Sequence, residues 1–187
     1  VNSDVLLRTE QSVKAIPYYA WNNRGPSEME VWIAYSDSVA RPKPAPTIAS
    51  KATVRSSQTN QRMLRGVNDQ YDPADAQDHN SVYLHWWPKN GTLEWVQYDF
   101  DQEYEVSSSK VYWFDDGPFG GCRVPVSWKI YYRSGDQWLP VTATTAYPVT
   151  KNQYDEVRFS PVKTTALKLE VQLPADNSAG LHEWIVN

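Results

Sequence analysis

The sequence predicts an all-β fold, an antiparallel β-sandwich jelly roll. Two observations carry the prediction. Apolar residues recur with period two along several short runs, the spacing of a half-buried strand. Between the runs lie Gly, Pro, Asp and Asn, which form turns. No long amphipathic 3.6-residue pattern competes with these signals. Short, evenly spaced strands of this kind close into sandwiches or jelly rolls.

The strands follow in order. Met29, Val31, Ile33 and Tyr35 share one face, with Glu30, Trp32 and Ala34 on the other. Val96, Tyr98 and Phe100 alternate with Trp95, Gln97 and Asp99. Val111 and Trp113 mark the next strand, then Trp128, Ile130 and Tyr132. The runs 156–159 and 166–173 repeat the pattern, and 182–186 closes the chain. The run Ala40-Arg-Pro-Lys-Pro-Ala-Pro46 interrupts this order. Alternating prolines favour an extended, semi-rigid spacer. The expected organisation is therefore 1–38 as the last strands of a preceding β-sandwich, 39–49 as a linker, and 50–187 as a jelly-roll domain. Because Val1 is not a natural start, the chain is read as a processed or excised piece.

Composition narrows the function. Net charge is −4, and Lys and Arg form no block, which argues against nucleic acid. No apolar run approaches the roughly 20 residues that span a membrane. Cys122 is the single cysteine, so no intrachain disulfide can form. Nine tryptophans and twelve tyrosines stand against four phenylalanines. Indoles and phenols suit places dry at one end and wet at the other, so binding surfaces are expected as well as core.

Three stretches could carry chemistry. The run 68–81 holds Asp69, Asp72, Asp75 and Asp78, a source of oxygens for a hard cation or else a solvated turn-rich loop. The run Trp113-Phe-Asp-Asp-Gly-Pro-Phe-Gly-Gly-Cys-Arg-Val-Pro125 holds Asp115, Asp116, Phe119 and Arg123. Such a mixture can stack on a sugar ring and hydrogen-bond its hydroxyls, or it can be a long hairpin loop capped by its own Asp residues. Asp115 with Asp116 could also be posed as a glycosidase acid and base, but neighbours on a strand point to opposite faces. The third stretch places Trp86 beside Trp87. Adjacent extended residues diverge, so one of these two rings faces outward and the other packs inside.

The run Ala15-Ile-Pro-Tyr-Tyr-Ala-Trp-Asn-Asn-Arg-Gly25 with Met29-Glu-Val-Trp-Ile33 resembles the closing strands of β-L-arabinofuranosidase-type glycoside hydrolases (the former DUF1680 group). The catalytic barrel of that group has no counterpart here, so the chain itself is expected to be non-catalytic. Asn68-Asp69, Glu94-Trp-Val-Gln-Tyr-Asp-Phe100, Arg123-Val-Pro-Val-Ser-Trp-Lys-Ile-Tyr-Tyr132, Asp136-Gln-Trp138 and His182-Glu-Trp-Ile-Val186 together resemble a discoidin-like, factor V/VIII C-type domain, the galactose-binding-like jelly roll. That resemblance implies a structural calcium held by Asn68, Asp69, Ser81 and Glu183. Gln70 stands where the pattern has glycine. It also implies a sugar site on the loops at one end, for which Tyr71, His85, Trp86, Trp87, Asp115, Asp116, Phe119 and Arg123 are the candidates. The chain is then a carbohydrate-binding module of a secreted bacterial enzyme, periplasmic or extracellular, acting on arabinose- or galactose-containing plant polysaccharide. The alternative is a structural accessory domain that packs on the catalytic domain of the same polypeptide without glycan affinity of its own.

Overall fold

The computed structural model describes residues 44–187, and Ala45–Asn187 form one unit. The strand expected at 29–35 and the fragment 1–38 lie outside the described residues. The unit begins inside the expected linker. Thr47 caps helix α1, Ile48–Lys51, through its side chain, and Ala49 is buried in the core. The order continues with β1 (Thr53–Ser56), α2 (Gln61–Leu64), β2 (Leu84–His85), β3 (Leu93–Phe114), β4 (Ser127–Ser134), β5 (Gln137–Pro140), β6 (Tyr154–Gln172) and β7 (Gly180–Val186). All ladders between these strands are antiparallel.

The runs expected as separate strands at 95–100 and 111–113 are one strand, β3. Those at 156–159 and 166–173 are one strand, β6. Asp101-Gln-Glu103 looks like a turn, yet the β3–β6 ladder passes it by register shifts at Asp99/Tyr104 and Val106/Ser108. The first part of β3 pairs with β1 and with the end of β6, which continues to β4 and β5. The last part of β3 pairs with β7, which carries β2. The two long strands therefore serve both layers of the sandwich.

Alternation places Val96 and Tyr98 of β3, Leu167, Leu169 and Val171 of β6, and Trp128 and Ile130 of β4 inside. Tyr98 stacks on Trp184 of β7 at 4.0 Å between ring centroids, which joins the layers. Four of the seven tryptophans among the described residues are core, and each of these buried indole N–H groups has a partner. Trp86 donates to Ser57, Trp113 to Asp155, Trp128 to the Pro148 carbonyl and Trp184 to Ser109. A buried indole without that bond would forfeit roughly 1–3 kcal/mol.

Candidate functional site: a loop-end cleft

At one end of the sandwich, two loops border a cleft of about 410 Å³. The first is the segment around β2. Tyr83, His85 and Trp87 line the cleft, while Leu84 and Trp86, between them, are 0% and 1% exposed. The cause is the β2–β7 ladder, with Leu84 opposite Leu181 and His85 opposite Gly180, which turns alternate side chains to opposite sides. Trp86 is thereby corrected: it is a core residue and has no face for a ligand. Trp87 is 58% exposed.

The second loop joins β3 to β4 and contributes Asp116, Phe119, Gly120, Gly121 and Cys122. Phe119 is 95% exposed. Asp115, at the root of the loop, is buried and faces away from the cleft. Its carboxylate accepts from the amides of Gly117 (3.0 Å) and Val124 (3.1 Å) and from the Lys151 ammonium (2.8 Å). Burial alone would push this carboxyl up, but Lys151 and the two amides outweigh it and hold it below its ordinary 3.8. Asp115 is therefore a scaffold residue, ionised and unable to act as a proton donor at neutral pH. Arg123 likewise does not line the cleft. Its guanidinium donates to the carbonyls of Gly120 and Cys122 and lies 3.7 Å from Asp116, latching the loop from below. Asp116 accepts from the Cys122 amide at 2.7 Å while its carboxylate borders the cleft. Tyr71 is elsewhere, its hydroxyl donating to Asp78 at 2.9 Å within the acidic loop.

Gly121 lets the two loops meet. A Cβ there would lie 2.8 Å from Cδ1 and Nε1 of Trp87, closer than packed atoms approach. The floor is aromatic, with Tyr83 stacked on Phe114 at 3.9 Å. His85 contributes a buried Nδ1 without a hydrogen-bond partner. Burial holds its imidazole below the ordinary 6.5, although Asp116 pulls the other way, so the ring is neutral at pH 7. Burial, and next Asp116, push the Cys122 thiol up to about 12, which leaves it protonated and inert as a nucleophile. Tyr83 and Phe114 were not among the sequence candidates. Tyr83 carried a signal, since it continues the alternation of His85 and Trp87; Phe114 is brought in by the sheet.

The expected calcium ligands divide. Glu183 is buried on β7, and one of its oxygens accepts from the Gln70 amide at 3.2 Å. Asp69 accepts from the Tyr71 amide at 2.9 Å and from the Ser81 hydroxyl at 3.3 Å. Burial, and next the Asp69 charge, push Glu183 up to about 9. Neither carboxylate enters an ion pair among the described residues. Two neighbouring acids without a basic partner suit a divalent cation, so Asp69 and Glu183 fit calcium. No three His, Cys, Asp or Glu side chains converge among the described residues, so the remaining ligands would be neutral oxygens. The Asn68 amide group donates to the carbonyls of Ala49 (2.7 Å) and Ala52 (3.2 Å), tying this loop to α1 and leaving only its oxygen for a metal. Gln70 sits at φ +64°, the left-handed conformation that glycine adopts without strain.

Residues 2–34 match the glycoside hydrolase family 127 C-terminal domain. The solved structures resembling the chain include a part of the Streptococcus pneumoniae β-galactosidase BgaA, at TM-score 0.60 and 16% identity, covering 72% of this chain and 89% of that one. A Clostridium perfringens module crystallised with GalNAc-β-1,3-galactose matches at TM-score 0.53 and 13% identity, over 75% of this chain and 99% of its own. The family 32 carbohydrate-binding module of Clostridium perfringens NanJ, in complex with galactose, matches at 0.50 and 15%, over 74% and 96%. The fold is that of the family 32 carbohydrate-binding modules. No described helix is long and apolar enough to cross a membrane.

Proposed function

We propose that residues 50–187 are a non-catalytic carbohydrate-binding module, and that the loop-end cleft holds a sugar. The observation that carries the reading is the cleft's composition. Exposed Trp87 and Phe119 flank it, and the unpartnered Nδ1 of His85 and the Asp116 carboxylate border it. Aromatic faces cover sugar C–H surfaces, and a neutral imidazole with a carboxylate supplies hydrogen bonds to hydroxyls. The galactose and GalNAc-β-1,3-galactose bound by the similar modules support this chemistry.

The segment at 2–34 suggests the setting. The module would belong to a secreted bacterial glycoside hydrolase, of β-L-arabinofuranosidase type, that acts on plant glycans. It would follow a linker and the end of a β-sandwich, with the catalytic domain on the same polypeptide. Its partner would be an arabinose- or galactose-containing oligo- or polysaccharide. Tethering would raise the local concentration of substrate at that catalytic domain. Calcium, held by Asp69 and Glu183, would fix the acidic loop against β7. Calorimetry with calcium-loaded protein and arabinogalactan oligosaccharides tests the reading. Saturable binding that Trp87→Ala abolishes is the expected result. A folded wild-type protein that takes up no such sugar sinks it, and favours an accessory domain whose exposed Phe119 packs on protein.

A further inference from the structure

The layer β3-β6-β4-β5 has an outer face that the loop-end cleft does not use. Alternation along β4 places Lys129, Tyr131 and Arg133 on this face, with Lys129 and Arg133 exposed. They stand roughly 7 Å apart in succession, two residues of strand each. In register, Lys129 is opposite Glu170 of β6, Tyr131 is opposite Lys168, and Arg133 is opposite Trp138 of β5. The Lys168 ammonium lies 5.1 Å from the Tyr131 ring centre and 5.3 Å from that of Trp138, and pairs with Glu170 at 2.8 Å. That pair neutralises itself. Lys129 and Arg133 enter no ion pair among the described residues. A cleft of about 200 Å³ opens beside Tyr131 and Lys129, bounded by Glu170, Gln172 and Leu93, the last 59% exposed.

We propose that this sheet face is a second glycan surface, separate from the loop-end cleft, for a chain bearing uronate carboxylates. Tyr131 and Trp138 cover the C–H faces of successive residues, and Lys129 and Arg133 meet the carboxylates. Three features select this occupant. Lys129 and Arg133, neither in an ion pair among the described residues and the latter 5.9 Å from the Trp138 ring centre, flank Tyr131 on a chain whose net charge is −4. A neutral polysaccharide would leave both cations unmatched. A polyanion without sugar rings would bring no C–H face to Tyr131 and Trp138, whose other neighbours are the Lys168 ammonium and, for Trp138, the Arg133 guanidinium. Protein interfaces are depleted in lysine at their centres, which disfavours a protein here. The three side chains Lys129, Tyr131 and Arg133 follow one strand in a row, a layout that an internal stretch of polymer would match.

Affinity electrophoresis of the full chain in gels containing polygalacturonate tests the assignment. Retardation that weakens at high salt is expected, with retention about fivefold to tenfold weaker in Lys129→Ala/Arg133→Ala. Fully methyl-esterified polymer should retard the chain less, and Trp87→Ala should leave polygalacturonate retention unchanged even where it abolishes sugar binding at the loop-end cleft. Both arginine and lysine changes are at exposed positions, and a second variant, Tyr131→Ala, checks the stacking arm independently. No retardation, a double variant that migrates like the wild type, or equal retention by inorganic polyphosphate overturns the proposal. So does a double variant that changes the oligomeric state in light scattering while keeping its retention, because the face would then be a protein contact.

Discussion

Replacing Asp115 by alanine separates a scaffold residue from a sugar ligand. The carboxylate holds both ends of the β3–β4 loop, through the Gly117 and Val124 amides, and holds Lys151 at 2.8 Å. Each amide bond to an ionised, buried acceptor contributes about 1.5–3 kcal/mol. The lysine is more than a third exposed, so its share after solvent screening is at most about 0.5 kcal/mol. Asp115→Ala should thus cost roughly 3–6.5 kcal/mol, or about 6–26 °C in melting temperature for a chain of this size. Scanning calorimetry reads the loss directly. It should depend on pH in a defined sense. The folded carboxyl titrates below its ordinary 3.8, so its contribution is fully present above that value and disappears as pH falls through the depressed folded value. Wild type and variant should therefore converge in strong acid. A variant that melts within about 2 °C of wild type at pH 7 refutes the reasoning. Unchanged melting with lost sugar binding would instead return Asp115 to the ligands.

Other predictions extend the same division. Trp86→Ala should cost about 3–5 kcal/mol, whereas Trp87→Ala should leave the melting curve in place and remove most sugar affinity, as calorimetry of both variants would show. Gly121→Ala should weaken sugar binding at least about tenfold by displacing the Trp87 indole; an unchanged titration curve would mean the ring is free to move. Chelator should lower the melting temperature of calcium-loaded protein, by about 2.7 kcal/mol of stability where calcium stands at a hundred times its dissociation constant, and Asp69→Ala should abolish the response. Gln70→Gly, which relieves the φ of +64°, should stabilise the chain by about 1 kcal/mol in denaturant titration; a destabilised variant would show that the side chain matters more than the backbone.

Local patterning made much of the fold legible. Val96 and Tyr98, Trp128 and Ile130, and Leu167 and Leu169 announce buried strand faces through alternation alone. The continuity of β3 past Asp101-Gln-Glu103 is not legible there, because it depends on register with β6, far away in sequence. The site was legible by region more than by residue. Tyr83, His85 and Trp87 share a face by simple alternation, but which face of β2 is interior is decided by its pairing with β7. Asp115 and Asp116 are equivalent in composition; Lys151, 36 residues on, pulls one of them into the scaffold. Phe119, in contrast, has no packing partner to compete for it, and a glycine-rich loop already leaves such a ring exposed.

The long strands β3 and β6 have a consequence for how the protein comes apart. Each runs through both layers, so the layers share one long β3–β6 ladder, broken only by its two register shifts, and cannot separate as independent blocks. Opening either end must break ladders that the other end still needs. Backbone amides near Val96 and near Val111 should therefore exchange with solvent only through the same global event, at one common rate, while those of residues 115–123 exchange faster. The 115–123 loop can adjust without loosening the sandwich of strands beneath it.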